Sequence, residues 1–350
     1  MSPVTRLDVG QPWAARYHGD QSVGPGVLDF AVNVRHCMPP AWLIDRLARR
    51  LPDLGGYPSA VDVQRAQDVV ARRHGRNRDD VLPLAGAAEG FALLPNLAPA
   101  LAAVIEPSFT EPAAVLAAAG VPVHRAVLDP PFTLDTAKVP AAADLVVVGN
   151  PTNPTAVLHH REELLALRAP GRVLVIDEAF ADSIAGEPES LAGEMLPDVV
   201  VIRSLTKTWS LAGLRVGYAL GAPDVLARLV SVRAHWPVGT LQLEAIAACC
   251  TSEAVAEAQA DAARLATMRG QMVAGLRAVG AEVVDGQAPF VLFAVPDADM
   301  VRIKLAEKGI AVRRCDTFVG LEGSYLRAAV RREWPQLVEE ISALMGGVNA

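Results

Sequence analysis

The sequence predicts an α/β protein: a large domain with a mixed, mostly parallel sheet covered by helices, followed by a smaller α+β C-terminal domain. Three observations carry this. Short apolar runs alternate with helix-like stretches through the middle of the chain, the pattern of successive βαβ units. Near Gly239 the pattern changes to a long Ala-rich helical region that ends near Gly280. Beyond it come short strands and two further helices.

Taken in order, residues 1–35 are rich in Gly and Pro and read as an arm rather than a domain. Strands are expected over 102–105, 121–124, 145–148, 173–176, 199–202 and 215–220, each beside a polar turn. In the last third, 283–284, 290–294, 311–313 and 325–330 read as short strands, with helices near 300–308 and 334–345. There is no internal repeat and no low-complexity linker.

The 350 residues, 51% of them hydrophobic, can bury one large core or two medium ones. Lys plus Arg number 32 against Asp plus Glu 39, a formal charge of −7 that argues against general attraction to nucleic acid or anionic membrane. Any anion must be held by a local arrangement. Residues 1–10 lack a basic stretch followed by an apolar one, and no run approaches the roughly 20 apolar residues of a membrane span, so a cytoplasmic location is expected. Cys37, Cys249, Cys250 and Cys315 form no CxxC pair and no Cys/His cluster at zinc spacing; reduced, buried thiols and no metal site are expected.

The turns after the strands carry the chemistry. They read Glu106-Pro107-Ser108-Phe109, Gly149-Asn150-Pro151-Thr152-Asn153-Pro154, Asp177-Glu178-Ala179-Phe180 and Ser204-Leu205-Thr206-Lys207. Ligands of open α/β sheets sit at the carboxyl ends of strands, so these turns converge on one pocket. A lysine that attacks an aldehyde must lose its proton, and Lys207, at a strand end near Arg215, suits that task. Ser204, Thr206 and Arg215 offer two hydroxyls and a guanidinium fork to a phosphate dianion. Asp177 could pair with a protonated pyridine nitrogen and keep the ring an electron sink; the other reading is a helix N-cap. Asn153 could donate to a ring phenolic oxygen or simply close an Asx-turn. Phe109 could stack on the ring or pack in the core. Gly86-Ala87-Ala88 before an apolar helix could present the N–H groups of Ala87 and Ala88 to phosphate. Each residue alone has a bland reading, Lys207 as a surface lysine among them. Together they compose a site for pyridoxal 5'-phosphate (PLP). No G-x-G-x-x-G follows the first strands, which disfavours a dinucleotide binder.

Asn-Pro-Thr-Asn-Pro-Thr (150–155), Asp-Glu-Ala-Phe (177–180), Ser-Leu-Thr-Lys (204–207) and Gly-Leu-Arg-Val-Gly-Tyr (213–218) resemble, in order and spacing, the motifs of class I/II aminotransferases, PLP enzymes of fold type I. Tyr57-Pro58 and Tyr325-Leu326-Arg327 extend the match over nearly the whole chain. The resemblance implies an arm (1–35) joining the small domain, a large PLP-binding domain (36–240), and a linking helix with a small C-terminal domain (241–350). It implies that Lys207 holds PLP as a Schiff base and that Asp177 partners its ring nitrogen. Tyr57 would reach the PLP phosphate of a neighbouring subunit, giving a homodimer with shared sites, and Arg327 would bind a substrate anion. Two positions depart from the family pattern: Ala156 stands where glycine is usual, and Phe180 replaces a frequent tyrosine.

Two branches of the family take phosphorylated amino compounds: the threonine-phosphate decarboxylases of cobalamin synthesis and the histidinol-phosphate aminotransferases. Tyr17-His18-Gly19-Asp20, Asp-Glu-Ala-Phe, Trp236-Pro237-Val238, Val312-Arg313-Arg314-Cys315 and the 327–331 segment are similar to the first branch, so a decarboxylase is the leading expectation. Its usual Asn-Pro-Leu-Gly reads Asn33-Val34-Arg35-His36 here, which implies a rebuilt substrate pocket around Asn33. His18, Arg35, His36, Arg313 and Arg331 could neutralise a substrate phosphate or be exposed surface charges. An aminotransferase of histidinol-phosphate type using glutamate and 2-oxoglutarate is the alternative, and a non-catalytic PLP-binding protein the second. The reaction depends on which bond at the substrate carbon stands perpendicular to the ring, a matter of pose.

Overall fold

The computed structural model describes residues 26–35, 37–321 and 323–346. It opens with β1 (Leu28–Asp29), α1 (Ala41–Ala48) and α2 (Ala60–His74). β2 (Val81–Leu84) leads through a glycine turn into α3 (Ala87–Ala92), then β3 (Ala102–Glu106), α4 (Glu111–Ala118), β4 (Val123–Val127), β5 (Leu145–Gly149) and α5 (Arg161–Leu165). β6 (Val173–Asp177), β7 (Val199–Ser204), β8 (Gly217–Leu220) and α6 (Pro223–Leu229) complete the first part. α7 (Thr240–Cys249) and α8 (Ser252–Ala278) follow, then β9 (Glu282–Val283), β10 (Phe290–Ala294), α9 (Ala298–Glu307), β11 (Ile310–Ala311), β12 (Arg313–Arg314), β13 (Tyr325–Ala329) and α10 (Trp334–Gly346).

The main sheet has the order β2-β8-β7-β6-β5-β3-β4. Every pairing in it is parallel except those of β8 with β2 and β7. Parallel strands covered on both faces need apolar side chains on both, which is why the runs are continuous rather than alternating. The period of two still sorts them: Val146, Val148, Ile176 and Val201 join the core on one face, and Leu145, Val147, Val175 and Val200 the core on the other. Gly149 lies level with Asp177, and Asp177 with Ile202, so the carboxyl ends of β5, β6 and β7 stand side by side.

The second sheet, β12-β13-β10-β9, is antiparallel and packs on α8, α9 and α10 through Phe293, Leu326, Leu337 and Ile341. β1 pairs in parallel with β11, Leu28 level with Ile310, which ties the start of the described chain to this second unit. Among the described residues no helix is long and apolar enough to cross a membrane.

Several elements differ from the sequence reading. The strand expected at 121–124 runs from Val123 to Val127, because Pro122 precedes it and only its carbonyl serves the neighbouring strand, accepting from Ala102 N–H at 2.9 Å. The strand expected from 215 begins at Gly217, since Arg215 takes a left-handed φ of 59° that no strand accommodates. The strand expected at 311–313 is split into β11 and β12. β2 has no counterpart among the strands expected from the sequence; it holds Pro83, and proline suits the sheet edge it occupies. Of the four cysteines expected to be buried, Cys37 is exposed and the other three are buried.

Candidate active site

A cavity of about 620 Å³ opens at the carboxyl ends of β5, β6 and β7. Ala87, Ala88, Phe109, Asn153, Asp177, Ser204, Thr206, Lys207 and Arg215 reach it from the main sheet, and Asn33, Arg313 and Arg327 from the other side. The strand-end turns singled out in the sequence therefore converge. Tyr57 does not line the cavity; its ring lies 76% exposed and stacked on Trp236 at 4.3 Å. His18 and His36 lie outside the described residues.

One end of the cavity gathers backbone N–H groups, hydroxyls and a guanidinium. Gly86, at φ 83°, turns β2 into α3, and the N–H groups of Ala87 and Ala88 open that helix with no partner inside it. A Cβ on Gly86 would lie 3.2 Å from Arg215 Nη2, so the guanidinium rests directly against this turn. The left-handed backbone of Arg215 aims it there, with its N–H bonded to Leu211 O at 3.2 Å. The hydroxyls of Ser204 and Thr206 stand 2.5 Å apart on the adjoining wall. Gly217 makes the close packing possible: a Cβ there would fall 2.6 Å from Arg203 O and 3.0 Å from Ala87 N.

Asp177 ends β6 with its carboxylate toward the cavity. Its Oδ1 accepts from Ala179 N–H at 3.0 Å. It caps no helix, because the nearest helical turn, Ala181–Ser183, has Phe180 at its cap position. Burial raises its pKa from an ordinary 3.8 to about 7, with the neighbouring Glu178 charge adding to the rise. A bound cationic N–H would reverse that. Lysine is scarce in this chain. Lys138 bonds Val127 O and Asp129, Lys304 pairs with Glu307, and Lys308 pairs with Glu340. Lys207 is the lysine that lines the cavity, and its carbonyl accepts the Arg35 N–H at 3.2 Å.

The opposite wall carries two cations. Arg313 and Arg327 face each other across β12 and β13, and both are buried. Arg327 donates through Nη1 to Asn153 Oδ1 and through Nη2 to Ala31 O at 2.7 Å. Asn153 thus turns its oxygen to Arg327, which leaves its amide N–H₂ for another acceptor. Burial lowers the Arg327 pKa to about 10, which still keeps it charged at neutral pH. Arg313 donates to Thr317 Oγ1 at 2.8 Å. Asn33 is buried with no partner for its Oδ1 among the described residues. Arg35 and Arg331 correct the sequence reading. Arg35 turns to Asp261 of α8 at 2.9 Å, and Arg331 bonds Val32 O at 3.0 Å, so both brace the 29–35 segment instead of lining the cavity.

The sequence reading missed Thr110, Glu111 and Phe318 on the cavity wall. The first two could have been found by extending the Glu106–Phe109 turn to the start of α4. Phe318 carried no signal, as its place depends on the loop after β12. The two departures from the family pattern are also resolved. Ala156 takes a left-handed φ of 65°, and Phe180 packs edge-on against Phe290, ring centroids 5.0 Å apart.

The Asp177 carboxyl gives a pH signature in the ligand-free protein. Its folded pKa lies above its unfolded one, so its contribution to stability is present below about pH 4 and lost as pH rises through about 7. Asp177→Asn lacks this titration. Relative to wild type, the apo variant should gain melting temperature between pH 4 and 8 and level off outside that window. A difference independent of pH would show that the carboxyl is not desolvated.

The class I and II aminotransferase family matches residues 27–340. A histidinol-phosphate aminotransferase of Mycobacterium bovis is 70% identical over 97% of this chain and 93% of its own length. A threonine-phosphate decarboxylase of a Sinorhizobium species is 32% identical over 87% of each chain. Among solved structures, the histidinol-phosphate aminotransferase of Clostridium acetobutylicum superposes with a TM-score of 0.85 at 22% identity, covering 92% of this chain and 100% of that one. With its mostly parallel sheet and strand-end cavity, the chain belongs to the PLP-dependent class I and II aminotransferase family, fold type I.

Proposed function

We propose that the chain is an aminotransferase that moves the amino group of histidinol phosphate to 2-oxoglutarate. The observation that carries this is a single cavity with two separate cationic stations. One comprises Arg215, the Ser204 and Thr206 hydroxyls and the opening of α3; it suits the cofactor phosphate. The other comprises Arg313 and Arg327 and suits a second anion on the substrate. Histidinol phosphate has an amine and a phosphate but no carboxylate, so its phosphate takes the second station. The relative that is 70% identical bears the name of this activity, against 32% for the decarboxylase; the sequence features that favoured decarboxylation are thereby outweighed.

The residues fit PLP on this structure's own terms: Asp177 has a desolvated carboxyl suited to a cation, and the glycine turn lets the Arg215 guanidinium lie against the start of α3, where both can donate to a phosphate. When bound, PLP supplies the electron sink that labilises bonds at the substrate's amine-bearing carbon. Lys207 would hold it through Nζ and take and return the proton at that carbon. Asp177 would keep a proton on the ring nitrogen, Asn153 would donate to the ring oxygen, and Phe109 would cover the ring face. Phe180 supplies no hydroxyl, so that oxygen would rely more on Asn153. A cytoplasmic location belongs to the same reading.

The test is to incubate the enzyme with histidinol phosphate and 2-oxoglutarate, and separately with threonine phosphate. Glutamate formed only when both partners of the first pair are present is the expected result. Carbon dioxide released from threonine phosphate, with no glutamate from the first mixture, would reverse the assignment. Arg313→Gln and Arg327→Gln should each raise the KM for histidinol phosphate roughly tenfold to a hundredfold, the worth of a charged hydrogen bond of about 1.5–3 kcal/mol.

A homodimer with shared sites is part of the proposal. Tyr57 and Trp236, stacked on each other and both exposed, offer apolar surface that a second copy would cover. Sedimentation should give twice the chain mass, and Trp236→Glu should yield a monomer with weakened PLP retention. A wild-type monomer fully active at nanomolar concentration would refute it.

A further inference from the structure

We infer that Phe290 and Phe318 are positioning residues that set the planes of the two arginines at the substrate-anion station. The inference rests on the reading of Arg313 and Arg327 as the receivers of the substrate phosphate and names what holds them ready.

Two buried guanidinium groups on directly opposed residues repel each other, so what fixes their planes matters. Each is laid on an aromatic face: Arg327 over Phe290 and Arg313 over Phe318, both with the guanidinium carbon 5.1 Å from the ring centroid. The negative face of a ring attracts the cation and fixes its plane, so the N–H groups that remain point along that plane. For Arg327 the edge bonds to Asn153 and Ala31 complete the fixation. For Arg313 the bond to Thr317 does so from the residue next to Phe318.

The two rings are braced from different parts of the fold. Phe290 sits on β10, level with Ala329, two residues along β13 from Arg327, and is fully buried. Phe180, three residues beyond Asp177, meets it edge-on at 81°. The tyrosine-to-phenylalanine departure thus gives the turn after β6 an apolar edge that props the anion station. Phe318 lies in the loop after β12, whose Gly320 sits so close to the main sheet that a Cβ there would fall 2.6 Å from Val127 Cγ1. Each arginine is therefore referenced, through a ring, to the part of the chain that carries the cofactor station.

The experiment uses the PLP-loaded enzyme and measures KM and kcat for histidinol phosphate, with inorganic phosphate as competitive inhibitor. Phe290→Leu and Phe318→Leu keep apolar volume and remove the ring face. Each should lower kcat/KM mainly through KM, by about fivefold to thirtyfold, and weaken phosphate inhibition in parallel. Phe290→Tyr and Phe318→Tyr, which keep the face, should return both to within about twofold of wild type. Phe318, at the cavity wall, keeps the test available if a change at Phe290 disturbs folding. If the Arg→Gln controls raise KM but the Leu variants do not, or if Tyr fails to rescue, the inference is wrong and the phosphate reading stands. If the Arg→Gln controls leave KM unchanged, both fall together.

Discussion

The site depends on a buried ion cluster behind it. Arg203, with almost no solvent exposure, donates to Glu178 Oε2 at 2.7 Å, to Glu187 Oε2 at 2.6 Å and to Asp182. Arg73 of α2 adds bonds to Asp182 at 2.8 Å and to Glu187 at 3.0 Å. Burial alone would raise Asp182, but Arg73 and Arg203 hold it at about 2, so its carboxylate stays charged at neutral pH. Removing one member of such a buried set costs about 3–5 kcal/mol, because the others are left desolvated and unpaired. Asp177 and Ser204 are the immediate chain neighbours of Glu178 and Arg203. Side chains alternate along an extended chain, so the residues facing the clamp and those facing the cavity are fixed in one operation.

This arrangement explains the division of labour in the cavity. The main sheet supplies the Ser204 and Thr206 hydroxyls, the Arg215 guanidinium, a desolvated carboxyl and a lysine around one end of the cavity. The second sheet supplies the buried pair Arg313 and Arg327, directly opposed across β12 and β13. Segment 29–35 closes the space between them. Arg331 bonds Val32 O, Arg327 bonds Ala31 O, and the Arg35 N–H meets Lys207 O, so that segment touches both Arg327 and the lysine turn.

Much of this was legible in the sequence because the strand-end turns are local: each functional side chain lies within a few residues of a continuous apolar run. What was not legible depends on distant chain segments. The Arg215 backbone conformation is one case: its left-handed φ brings its guanidinium to Gly86, more than a hundred residues earlier in the chain. Ala156 is another: its strained turn is accommodated by Gly286, where a Cβ would lie 2.6 Å from Ala156 Cβ, and by the bond from Gln287 N–H to Ala156 O at 2.7 Å. Arg35 and Arg331 looked like candidates for phosphate on charge alone, and only their packing against Asp261 and Val32 removes them. The choice between transamination and decarboxylation rests on substrate pose, which no motif encodes.

The central claim is that Lys207 and Asp177 flank one cofactor ring in this cavity. The most direct measurement is borohydride reduction of the PLP-loaded enzyme followed by peptide mapping. The account predicts a pyridoxyl group on the peptide containing Lys207 and on no other. A label on Lys138, Lys304 or Lys308, or none at all, would contradict it.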